Sequence, residues 1–203
     1  MERAAFDTVL LDAMGVIYAS GDDVGELLIP FLRENGVDAP QADIEHAYRE
    51  ASLGRFSSSR FWQRFGLDAG VEDRYLARHT LHPGLPAFLE RLPDRIRLAC
   101  LSNDVSEWSR KLRDRFGLTS RIVHWTISGD VGLRKPDPAI YELVKAVCVE
   151  PARTLFVDDR LANVEAARAS GFEAVLFGSG DGSAGTARTF DDVLLKVRTG
   201  TVV

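Results

Sequence analysis

Residues 9–18 read VLLDAMGVIY. Three apolar residues run into Asp12, and Gly15 follows three positions later. A short, near-continuous apolar run of this kind, rather than an alternating one, marks a strand of a parallel sheet buried on both faces. A strand is expected over 8–11, ending at an aspartate that does not belong inside it. Similar runs lie at 96–101, 154–157 and 174–177, with a weaker one at 121–127 (RIVHWTI). Helical patterns lie between and after them, at 105–116, 138–147, 163–170 and 191–197. Strand and helix in repeated alternation argue for an α/β fold in three layers, a parallel sheet covered by helices on both faces.

The first gap breaks that rhythm. Residues 19–82 contain no convincing strand but hold amphipathic helical segments at 25–34, 41–52 and 58–65, broken by Asn35-Gly36, Ala39-Pro40 and Gly66. A helical cap is therefore expected over 19–82, inserted into a sheet domain formed by 1–18 and 83–203. Phe61 and Phe65 share one helix face with Trp62 beside them, a grouping that reads as cap core. The crevice between the two parts falls at the carboxyl ends of the strands.

Composition narrows the function classes. The 203 residues are 45% hydrophobic and 27% charged, with a formal net charge of −5. That balance offers no basic face for nucleic acid or anionic lipid. The two cysteines, Cys100 and Cys148, sit in apolar runs and read as buried thiols of a reducing compartment. No signal peptide and no apolar stretch of about 20 residues is visible, so a cytoplasmic protein is expected, its oligomeric state open. Gly180-Asp181-Gly182-Ser183-Ala184-Gly185 matches G-x-G-x-x-G after a strand. With no second strand and ribose-binding acid some 20 residues on, it reads as a flexible connection to the last helix.

The strand ends carry the chemistry. Asp12 follows the first strand, Ser102-Asn103 the second and Asp158-Asp159 the third firm one. Parallel strands deliver those ends to one edge, so three carboxylates and a hydroxyl converge. Clustered acids repel unless a cation joins them, and an all-oxygen set suits Mg²⁺. Lys135, one of only four lysines, lies in LRKPDP, where prolines hold it ahead of a helix. A cation there can balance an anionic phosphoryl group. Taken singly, these residues also have simpler duties as helix caps, turn residues or surface charge.

Taken in order, they make the chain resemble the haloacid dehalogenase-like (HAD) superfamily, which carries a Rossmann-like core. Asp12-Ala13-Met14-Gly15-Val16 matches its first motif, D-x-D-x-[T/V], except at the second acid. Ser102, Lys135 and the Asp158-Asp159 pair fall on the other three motifs, and the cap sits directly after the first. The resemblance implies a nucleophilic Asp12 that forms an aspartyl-phosphate, and Ser102 at a phosphoryl oxygen with the Asn103 backbone nearby. It also implies that Lys135 orients Asp12, and that Mg²⁺ is held by Asp12, Asp158, Asp159 and the Met14 carbonyl. The implied substrate is a small phosphorylated metabolite, with no nucleic-acid or membrane partner. Asn163 is expected to fix the loop rather than touch substrate.

Met14 stands where the family's phosphatases keep the acid that protonates the leaving group and then activates water. A thioether does neither. General acid–base catalysis is worth about 10²–10⁴-fold, so the substitution points to substrates with good leaving groups such as acyl, enol or aryl phosphates. Two alternatives stay open. One is a 2-haloacid dehalogenase-like reaction with Asp12 attacking carbon, although those enzymes lack the acidic pair. The other is a scaffold that binds a ligand or partner without turnover. A phosphonatase-like route needs a cap lysine, and none precedes Lys111. Tyr18 and His82, at the cap junctions, are the nearest candidates for a substitute proton donor, and Arg55 is a candidate to reach substrate from the cap.

Overall fold

The computed structural model describes residues 5–146, 150–178 and 185–200. Strand β1 (Thr8–Leu11) leads into a π-helical turn (Val24–Leu28), then helices α1 (Ile29–Glu34), α2 (Gln41–Ala51), α3 (Ser58–Arg64) and α4 (Glu72–Leu76). The chain returns through α5 (Leu85–Arg91), β2 (Arg97–Ser102), α6 (Ser106–Arg115), β3 (His124–Ile127) and α7 (Ser128–Val131). It closes with α8 (Pro138–Lys145), β4 (Thr154–Asp158), α9 (Leu161–Ala169), β5 (Glu173–Phe177), β6 (Thr186–Ala187) and α10 (Phe190–Thr199).

The six strands form one parallel sheet in the order β3-β2-β1-β4-β5-β6. β1 lies in the middle, with Leu11 opposite Cys100 of β2 and Val157 of β4. Its side chains feed both faces, which is why the run is continuously apolar. Leu10 joins Phe156, Ile140, Tyr141, Val144 and Val164 under α8 and α9. Val9 and Leu11 join Phe88, Trp108, Leu112 and Val193 of α5, α6 and α10. The expected α/β three-layer architecture is present.

Differences from the sequence reading are local. Ser102 and Asp158 end their strands instead of following them. The weak strand shortens to His124–Ile127, and α4, α5, α7 and β6 escaped periodicity because each is at most seven residues long. The first helical segment is not one α-helix but a π-helical turn that passes into α1. Cys100 is buried, whereas Cys148 and residues 180–184 of the glycine-rich stretch lie outside the described residues. No described helix is long and apolar enough to cross a membrane.

Helices α1–α4 share a core with the sheet domain. Phe61, Trp62 and Tyr75 meet Trp108 of α6 with ring centroids 5.3, 5.4 and 4.9 Å away. The expected aromatic group at 61–65 is thus packing, with Phe65 5.2 Å from Phe61. Glu72 fastens the seam, accepting from Trp62 Nε1 at 2.9 Å and Trp108 Nε1 at 3.0 Å, with Lys111 Nζ at 2.9 Å. Burial pushes its carboxyl up, but these donors prevail and hold it below its ordinary range. Trp108→Ala is expected to cost about 3–5 kcal/mol, read from the urea unfolding midpoint. A loss below about 1 kcal/mol would mean that α6 and the preceding helices do not share one core.

Candidate active site

Asp12 leaves β1 with its backbone N–H still in the sheet, donating to Val157 O at 2.9 Å. The side chain is buried at the strand ends, where its Oδ1 accepts from Ala13 N–H at 2.6 Å and meets Lys135 Nζ at 2.8 Å. The same ammonium lies 2.7 Å from Asp158 Oδ2 and donates to Leu101 O at 2.8 Å. All three of its protons are thus taken. Burial works to lower the Lys135 pKa, but the two carboxylates outweigh it and keep the ammonium charged. Burial, then Asp158, push the Asp12 carboxyl up against the pull of Lys135.

Asp158 is held by Asn163, whose Nδ2 lies 3.0 and 3.1 Å from its two oxygens, the loop-fixing duty expected of that residue. Asp12, Asp158 and Asp159 each bring a carboxylate oxygen within 4.8 Å of the others, a set that could hold a metal ion. Asp159 Oδ1 is buried without a hydrogen-bond partner, as a ligand oxygen awaiting a cation would be. Burial and Asp158 raise its carboxyl to about 6. Three acids so placed repel one another, and a hard divalent cation answers that repulsion. Glycines make the room: a Cβ on Gly15 (φ +74°) would sit 2.3 Å from Asp159 Oδ2, and one on Gly21 2.6 Å from it.

Ser102 faces the same cavity with a buried hydroxyl that has no partner. Asn103 lines the cavity as well, and its side chain has a separate task. Its side-chain amide grips the backbone of Lys135, Nδ2 to O at 2.9 Å and Oδ1 from N at 2.8 Å. Its own carbonyl accepts from Tyr48 of α2 at 3.0 Å. Asn103 therefore links the helices after β1 to the loop that carries Lys135.

The cavity above these groups measures about 480 Å³. Met14 lies on its wall, and α2 supplies Ala42, Glu45, His46 and Arg49, a polar stripe at i, i+3, i+4 and i+7. Asp22, Asp23, Arg134 and Arg160 complete the rim. Sequence reasoning missed these eight residues, although the α2 stripe could have been found as the face opposite Ile44, Ala47, Tyr48 and Ala51. The candidate proton donors prove misplaced. Tyr18 packs on His79 and Phe116, the His82 ring lies against Phe177 and Phe190, Arg55 is exposed, and none of the three lines the cavity.

Comparison with known proteins shows the family. A profile of haloacid dehalogenase-like hydrolases matches residues 6–171, and the chain belongs to that family. It is 28% identical over 153 residues to a phosphoglycolate phosphatase of Pseudomonas putida, spanning 74% of this chain and 51% of that one. A HAD family enzyme of Bacteroides thetaiotaomicron superposes with a TM-score of 0.74 at 16% identity, covering 87% of this chain and 95% of its own. The L-2-haloacid dehalogenase of Xanthobacter autotrophicus gives 0.67 at 18% identity, covering 96% and 99%. The protein is a hydrolase of this family.

Lys135→Met would leave two buried carboxylates without their cation. A loss of about 3–5 kcal/mol is expected near neutral pH. The deficit should shrink in mild acid, where Asp12, its carboxyl raised first by burial, takes up a proton and needs no counter-charge. Urea unfolding of both proteins at the two pH values checks this; an equal deficit at both would show that the ammonium is not balancing these acids.

Proposed function

We propose that the protein is a Mg²⁺-dependent phosphatase that hydrolyses a small phosphorylated metabolite through an aspartyl-phosphate on Asp12. The observation that carries this reading is the buried ammonium of Lys135 shared by Asp12 and Asp158, beside the unpartnered oxygen of Asp159 and hydroxyl of Ser102. Residues 19–82 act as the cap over that edge. Names of relatives, phosphoglycolate and phosphoserine phosphatase among them, support a small phosphate ester as the substrate class.

Asp12, Asp158, Asp159 and the Met14 carbonyl would hold the cation, which supplies charge to draw nucleophile and phosphoryl group together. Two donors on Asp12 Oδ1 fix the carboxylate's rotation and leave Oδ2 free of protein donors for attack on phosphorus. Ser102 Oγ–H donates to a phosphoryl oxygen, which satisfies its orphaned hydroxyl. Lys135 stays protonated throughout and offsets the charge that accumulates in the transition state. Asn103 positions Lys135.

The Asp158-Asp159 pair separates this reading from carbon-centred displacement, which has no use for a divalent cation. Phosphate release from p-nitrophenyl phosphate should require Mg²⁺, stop with chelator and fall to background in Asp12→Asn. Halide release from 2-chloropropionate in chelator would replace the phosphatase reading with a dehalogenase one. Absence of both activities would leave the binding scaffold.

A further inference from the structure

Met14 offers no proton, so the cavity must draw one from elsewhere if it is to expel a basic leaving group. Asp22, Glu45 and His46 reach it only as exposed side chains. Asp23 differs: it lines the cavity yet is 4% exposed, and its Oδ2 has no hydrogen-bond partner. No cation lies within ion-pair distance of it among the described residues. Asp104, from the loop after β2, is likewise buried, 1% exposed and with an orphaned Oδ2 of its own. Burial without an ion-pair partner disfavours the charged form of each carboxyl.

We propose that Asp23, backed by Asp104, is the proton carrier of this cavity and takes over the duty that position 14 has lost. The inference rests on the phosphatase reading and adds a catalytic group to it. Burial is the main cause that brings the Asp23 carboxyl up to about 7, with Asp22 adding to the rise. Arg160, the Val24 N–H and Arg134 pull the other way. Burial, and then the charge of Asp23, raise the hydroxyls of Tyr48 and Tyr75 well above their ordinary range. Burial and Asp23 raise Asp104 well above its ordinary range. A group that titrates near the working pH is the one suited to give a proton and regain it.

The steps balance. As Asp12 Oδ2 bonds to phosphorus, the ester P–O bond breaks and its oxygen leaves with the Asp23 proton as an alcohol. Water then bonds to phosphorus and gives a proton to the Asp23 carboxylate, while the P–O bond to Asp12 breaks. Inorganic phosphate departs, and both aspartates return to their starting states.

The test is a series of para-substituted phenyl phosphates from p-nitrophenyl to p-methoxyphenyl, assayed with Mg²⁺ in wild type, Asp23→Asn and Asp23→Glu. In Asp23→Asn, kcat/KM for phenyl phosphate should fall by about 10²-fold or more. The loss for p-nitrophenyl phosphate should be at least tenfold smaller. Asp23→Glu should restore the shallower dependence on the leaving group. In wild type, kcat/KM for phenyl phosphate should decline as pH rises through about 7, and that limb should vanish in Asp23→Asn. An equal loss across the series, or survival of the limb, overturns the assignment of Asp23 and leaves the phosphatase reading standing. A wild type inactive on every ester overturns both. Asp23→Ser replaces Asp23→Asn if the amide does not fold.

Discussion

One buried ammonium holds the edge of this sheet together. Lys135 spends its three protons on Asp12, Asp158 and the Leu101 carbonyl, so it ties the ends of β1, β4 and β2 to the loop before α8. The parallel order puts those three strands side by side, and their carboxyl ends inevitably bring acids into contact. Without a cation among them, the edge would have to neutralise its acids by protonation. The same constraint explains Asn163, which holds both oxygens of Asp158, and Asn103, which grips the lysine's backbone from both sides. Chemistry and stability draw on one set of contacts here.

A second constraint acts above the edge. The helices after β1 are not a separate body on a hinge of bare chain; their aromatic residues pack on Trp108, and Glu72 joins both sides of the seam. α2 is held so that its polar stripe forms one wall of the cavity, with Tyr48 bonded to the loop that precedes α6. That wall is thus fixed by core packing as well as by loops.

Much of this was legible in the residues. Apolar runs ending in Asp12, Ser102 and Asp158 placed the edge, because a strand buried on both faces stays apolar until its carboxyl end. Lys135 stood out by rarity and by its prolines. What was hidden had physical reasons. Asn103's grip on Lys135 spans 32 positions and leaves no periodic trace. Asp23 reads as an ordinary helix-start acid beside Asp22, and only burial without a partner sets it apart. Tyr18 and His82 flank residues 19–82 in sequence, yet both serve as packing and neither lines the cavity. The short elements α4, α5 and α7 carry too few turns for an apolar stripe to emerge.

The glycine at position 15 carries a consequence for how such a protein changes over generations. Any side chain there would strain a left-handed backbone and evict the Asp159 carboxylate from its seat. That position is closed to drift. The outward stripe of α2 is under no such restriction, since Glu45, His46 and Arg49 support neither sheet nor core. New specificities can be written on that helix while the machinery beneath it stays frozen.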